Sequence, residues 1–361
     1  MVKNNTISVL QAGILVFFSC FANKILILPS LLFKDIKGDG IFIYILGFLL
    51  DLGLLFIFIK LKKTYENLSF FQILSKKFTK FTAIFIYTIG LIFFFMKFLL
   101  TFNVTIIYFK QKIYPDGNIL LFLVCFLPIV THAVLIGLRS IGRCGQFFFL
   151  IVLLGFLSCY FISLTNYNSM PILFDTTILK FSTTMLKNSF AFGDFVILFF
   201  MMDKIELKNK DVKKLAWLSV LGSALATALM VSFFVIYQNT AFLYPSAISD
   251  IISVNTSFTR IGQIELFAMF IVAFITFYQL IIYAYCFNEA FTHLFKIKDW
   301  ASMLWFNLIF IFVSYFIFNS IERVVFLAQT LSLYLGALPY VLVPLFGILA
   351  LFLGGKHEKD V

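Results

Sequence analysis

Ten stretches of this chain run with scarcely any charge, roughly 7–32, 40–60, 82–109, 118–138, 144–165, 186–202, 214–239, 262–287, 300–319 and 326–353. About 20 mainly apolar residues are enough for a helix to cross the hydrocarbon of a bilayer. In that layer each backbone N–H and C=O must be satisfied inside the protein, which leaves the helix as the economical solution for runs of this length. The expected fold class is therefore an all-α polytopic membrane protein of ten transmembrane helices, a single integral membrane domain over residues 1–361. Composition agrees, since hydrophobic residues make up 62% and charged residues 12% of the chain, against about 25% charged in soluble domains.

Several functional classes drop out. The polar segments between the runs are too short to form a soluble catalytic domain. The sequence carries no phosphate-binding glycine loop, HExxH, nucleophile elbow or paired catalytic carboxylates, so an enzyme is not expected, nor a cofactor. The net charge of +11 is spread between apolar runs, which suits anionic lipid head groups better than nucleic acid. Five scattered cysteines offer neither a disulfide framework nor a metal site.

Lys and Arg alternate in density from loop to loop. One face collects 18, including Lys60, Lys62, Lys63, Lys76, Lys77 and Lys80, whereas the opposite face has 8. The bias places both termini in the cytoplasm of a multi-pass membrane protein. Two connections exceed simple tethers. Residues 64–80 carry Tyr65, Leu68, Phe71, Leu74 and Phe78 at helical spacing beside lysines, predicting a helix on the cytoplasmic leaflet. Residues 240–261, opening at Tyr244-Pro245, suggest an outer loop with a short helix.

Two runs are interrupted near their middles. The first carries Cys20, Phe21, Ala22, Asn23 and Lys24, with Pro29 beyond; the sixth carries Phe190, Ala191, Phe192, Gly193 and Asp194. Small and polar residues there predict unwound segments whose freed amides and carbonyls can hold a ligand at the midplane. Each break lies in the first span of a five-span half, giving a 5+5 inverted repeat of about 7–165 and 186–353 with a transporter-like core. Amides at a half-helix start attract a carboxylate and carbonyls at a half-helix end attract a cation, so a zwitterionic amino acid fits both.

A charge within a span needs an explanation. Lys97 in the third span either points into the central pocket, where it meets a carboxylate or fills a coupling-cation position, or pairs with Asp51. Lys24 is either part of the site or a side chain reaching the outer interface, and the second reading is preferred. Asp51 and Glu289 read as structural, and His132 as a hydrogen-bonded core residue. Tyr278, Gln279 and Tyr283 distinguish themselves from the many other polar aromatics and amides in no way.

The chain resembles the B-subunit family of bacterial spore germinant receptors, spore germination proteins of the amino acid–polyamine–organocation superfamily. The likeness runs nearly end to end through Ile7-Ser8 with Gln11, Leu28-Pro29, Asp39 and Leu74-Ser75-Lys76. It continues through Gly137-Leu138 to Arg143, Pro171-Ile172-Leu173, Phe192-Gly193-Asp194 and Tyr244-Pro245. Arg139, Gln146 and Lys24 depart from the family pattern, and no proline stands in Leu198-Phe199-Phe200-Met201-Met202. The resemblance implies a permease-like receptor subunit in a bacterial inner membrane, of the cell or the spore, that binds a small nutrient, typically an amino acid. It would work with an A-type membrane subunit and a C-type lipoprotein. An ion- or proton-coupled amino acid permease and a scaffold subunit without ligand binding are the competing readings.

Overall fold

The computed structural model describes residues 6–112, 114, 119–164, 176–207, 211–243, 251, 263–317 and 321–354. The Pro171-Ile172-Leu173 and Tyr244-Pro245 motifs and nearly all of the outer loop lie outside them. Strand β1 (Ile7–Ser8) leads into α1 (Val9–Ser19), α2 (Asn23–Leu26), α3 (Leu28–Ile36), α4 (Gly40–Thr64), α5 (Phe70–Lys77) and α6 (Lys80–Lys112). There follow α7 (Ile119–Ile136), α8 (Leu138–Leu164), α9 (Ile178–Lys187), α10 (Ile197–Phe200) and β2 (Ile205–Glu206). The remainder is α11 (Val212–Tyr237), α12 (Gln263–Phe295), α13 (Asp299–Ile317), α14 (Ile321–Ala337) and α15 (Val343–Gly354).

Six helical stretches are long and apolar enough to cross a membrane, and four shorter apolar helices accompany them among the described residues. Their outward faces carry Phe81, Phe147, Trp217, Phe312 and Phe352, each more than half exposed. A soluble protein does not display so much contiguous apolar surface. This is an all-α polytopic membrane protein.

Phenylalanine builds much of the interior. Phe98 of α6 meets Phe306 and Phe310 of α13 edge-on at 4.8 Å, and Phe102 meets Phe310 at 5.0 Å. Edge-to-face pairs of this kind add about 0.5–1.5 kcal/mol each beyond burial. Such contacts matter more in lipid, where apolar burial alone gives helices little reason to associate.

Helix starts follow their caps. Ser8 begins α1 with a reciprocal pair, Gln11 N–H to Ser8 Oγ at 3.3 Å and Ser8 N–H to Gln11 Oε1 at 3.0 Å. Ser69 and Gln72 repeat the device on α5. The helix expected within 64–80 is thus present, but it is tucked against α6 and α15 and buries Phe70, Ile73 and Leu74. Tyr65 donates to the Ala350 carbonyl at 2.9 Å, and Phe78 meets the Phe346 ring at 5.2 Å. At this same lysine-rich end β1 pairs in parallel with β2, Ile7 with Ile205 and Ser8 with Glu206. That pairing ties the start of the first interrupted helix to the end of the second.

Candidate functional site

Both predicted interruptions are present. The first helix stops at Ser19 and resumes at Asn23, with Ala22 between them at φ 49°. A left-handed conformation costs a residue with a Cβ about 1–2 kcal/mol, so surrounding contacts must hold it. The second is longer. After α9 the chain makes a short 3₁₀ turn over Ser189–Ala191, extends at Phe192, turns left-handed at Gly193 (φ 84°) and makes another turn over Asp194–Val196 before α10. Gly193 is required twice over, since a Cβ there would also stand 2.5 Å from Pro339 Cγ. Pro339 lies in a π-helical turn, Leu338–Leu342, between α14 and α15. Such bulges in helices concentrate at functional sites.

The carbonyls and amides released by the breaks are engaged by the protein itself. Lys24 Nζ donates to the Ser19 carbonyl at 2.9 Å and to Asp194 Oδ2. Lys97 Nζ, arriving from α6, donates to the Phe192 carbonyl and to Asp194 Oδ1, both at 2.8 Å. Tyr283 of α12 donates to Asp194 Oδ1 at 2.7 Å. Asp51 Oδ1 of α4 accepts the Gly193 N–H at 2.8 Å. Gln279 Nε2 donates to Tyr283 Oη and, at 3.5 Å, to the Ser19 carbonyl. Tyr44 donates to the Lys24 carbonyl. Lys24, Lys97 and Asp194 are each 1% exposed and Asp51 is fully buried.

The result is a charge-linked core in which one carboxylate from the second break joins a lysine from the first break to a lysine from α6. Lys24 Nζ also lies 5.5 Å from the Phe48 ring and 5.7 Å from the Phe192 ring, and Lys97 Nζ lies 5.5 Å from Phe93. Aromatic faces at this range favour a desolvated cation. Within this cluster two buried acceptors have no partner among the described residues, Asp51 Oδ2 and Gln279 Oε1. Buried orphans of this kind are costly and few in native proteins.

A family model described as spore germination protein matches residues 6–323. The chain belongs to the spore germination protein family. The match takes in both interruptions, Lys97 and the helix bearing Tyr283. No curated protein matches the chain.

Within this family member the expected site residues divide into three groups. Lys24, Lys97, Asp194, Gly193 and the Phe192 carbonyl meet at the centre. Cys20 and Phe21 point elsewhere: Cys20 Sγ lies 3.8 Å from Ser223 Oγ of α11, and Phe21 stacks on Phe156 of α8 at 4.3 Å. Ala22 supplies the turn of the first break, Phe190 and Ala191 are buried in the 3₁₀ turn of the second, and Asn23 contributes backbone to α2.

Three expectations need correction. Lys24 does not reach for the interface, because Asp194 and the Ser19 carbonyl hold it inside. Lys97 pairs with Asp194 rather than Asp51, whose Oδ1 is taken by Gly193. His132 is exposed on the outer face of α7 instead of being bonded in the core. The reading of Glu289 stands better, as it pairs with Lys204, which also donates to Tyr285 at 2.9 Å.

Tyr44 and Pro339 escaped the sequence reading, and Gln279 and Tyr283 were noted there without standing out. A tyrosine among fifteen in a chain with 52 phenylalanines carries no signal by type. Tyr283 and Gln279 do stand four apart on one helix face, a pairing that gains meaning once Asp194 is seen opposite.

Proposed function

We propose that this chain is the B-type membrane subunit of a spore germinant receptor. It binds a small nutrient bearing an ammonium group, an amino acid in the simplest case, and relays binding to an A-type membrane subunit and a C-type lipoprotein. It does so without catalysing a reaction. On this reading the helices form ten spans in two inverted halves, about 7–165 and 186–353, within the spore inner membrane, with both termini cytoplasmic.

One observation carries the proposal: Asp194 gathers Lys24 and Lys97, and thereby both interrupted helices, into one buried cluster. A nutrient ammonium that competes for Asp194, or that satisfies Asp51 Oδ2 and Gln279 Oε1, alters the contact joining the two breaks. Differential affinity of a few kcal/mol for the rearranged state is sufficient to shift the population. The same geometry favours sensing over ion-driven transport. In coupled transporters, carbonyls at broken helix ends coordinate the driving ion. Here Ser19 and Phe192 present their carbonyls to lysine ammoniums that cannot leave.

Reconstitution of the purified chain in proteoliposomes tests this. A thermal-shift screen with the common amino acids should find a stabilising nutrient, while radiolabelled uptake of that nutrient stays at the level of empty vesicles under a sodium or proton gradient. Rapid gradient-driven uptake would overturn the sensor and establish a permease. No stabilising amino acid would favour a scaffold subunit.

A further inference from the structure

A second feature lies away from the centre, at the lysine-rich end of α4 and α15. A groove of about 640 Å³ runs between these helices, walled by Phe56, Leu351 and Phe352 and topped by Lys60, Lys63 and Thr64. Phe56 is 59% and Phe352 75% exposed, so the groove opens outward along the flank of the bundle. One turn further along α4, Gly53 is exposed and a Cβ placed on it would meet nothing within 4 Å.

The lysines at this end are not equivalent. Lys62 turns inward and donates to the Glu66 carbonyl. Lys60 and Lys63 remain exposed, and among the described residues neither has a carboxylate partner. Lys60 Nζ sits 4.4 Å from the Phe56 ring, at the mouth of the apolar walls. Two cations without carboxylate partners among the described residues thus lie at the helix end above an apolar slot, while the Thr64 hydroxyl donates to the Lys60 carbonyl at 3.0 Å. That arrangement is complementary to an anionic phospholipid in both charge and polarity. A free anion would use the lysines and leave the slot unexplained.

We propose that this groove is a binding site for a single anionic phospholipid, its phosphate held by Lys60 and Lys63 and one acyl chain lying between α4 and α15. The proposal is independent of the nutrient site. Since α5 packs on α15 and Tyr65 bonds Ala350, the lipid would brace the turn between α4 and α5 where the chain presents itself to the cytoplasm.

The test uses the full chain in detergent, titrated with phosphatidylglycerol or phosphatidylcholine in mixed micelles, with retained lipid counted by native mass spectrometry. Wild type should retain phosphatidylglycerol preferentially. Lys60→Gln with Lys63→Gln should weaken retention about thirty-fold, taking about 1 kcal/mol per lysine. Lys213→Gln with Lys214→Gln, on α11, should leave it unchanged. Ile348→Trp, which fills the slot and keeps both charges, should also release the lipid, and it decides the matter if the double glutamine variant does not fold. Equal losses from the two lysine pairs would overturn the site in favour of general surface charge. Competition by inorganic phosphate at full strength, with Ile348→Trp without effect, would overturn the lipid in favour of a free anion.

Discussion

Replacing Asp194 by Asn keeps the shape of the side chain and removes the charge on which the central cluster depends. Lys24 and Lys97 would then face each other across an amide, 1% exposed and without their shared counter-ion. Removing one partner of a buried ion pair typically costs about 3–5 kcal/mol, mainly because an uncompensated charge stays behind. Two features of this site hold the cost towards the lower figure. Each lysine keeps a backbone acceptor, Ser19 for Lys24 and Phe192 for Lys97, and the Asn oxygen can still accept from Tyr283. At about 2 °C per kcal/mol for a chain of this size, the purified variant should melt about 6 °C or more below wild type. The melt is followed by loss of the monodisperse peak on size-exclusion chromatography after heating. Adding Lys24→Met and Lys97→Met to Asp194→Asn should recover much of the loss, because an apolar replacement of a buried ion cluster is often neutral. An Asp194→Asn protein melting within 1 °C of wild type would refute the reasoning, as would a triple variant less stable than the single.

Two further outcomes follow from the same geometry. Gly193→Ala should lose about 1–3 kcal/mol and most nutrient response, since the left-handed turn is strained for alanine and the new Cβ would stand 2.5 Å from Pro339 Cγ; thermal melting and a germination or ligand-shift assay check both, and wild-type values would exclude the tight approach. Exchanging sodium for potassium or choline at constant ionic strength should leave melting temperature and nutrient affinity unchanged, because tethered ammoniums sit at the carbonyls of both breaks; a sodium-dependent affinity measured by calorimetry would contradict this.

How much of this was legible beforehand varies with the range of the interactions. The breaks announced themselves because Gly193, Asp194, Lys24 and Pro29 are local offences against an apolar helix, and hydrocarbon punishes each such residue individually. The helix at Phe70–Lys77 was equally local, written in the spacing of its apolar residues, while its Ser69 cap emerged with the structure. The partnership of Lys24 with Asp194 was not legible, since 170 residues separate them and any of several buried charges satisfied the same need. Lys97 had two carboxylates to choose from, and only the three-dimensional packing sets its ammonium 2.8 Å from Asp194 Oδ1.

Hydropathy alone therefore determined that this polymer inhabits a bilayer and where its helices give way, because transfer free energies add up residue by residue along a contiguous run. Which donor meets which acceptor in the middle was decided in three dimensions, where packing of α4, α6 and α12 around the two gaps brings distant side chains within 3 Å. There the freed Ser19 and Phe192 carbonyls turned out to be occupied by the protein's own lysines, an outcome no summation over neighbours in sequence could contain.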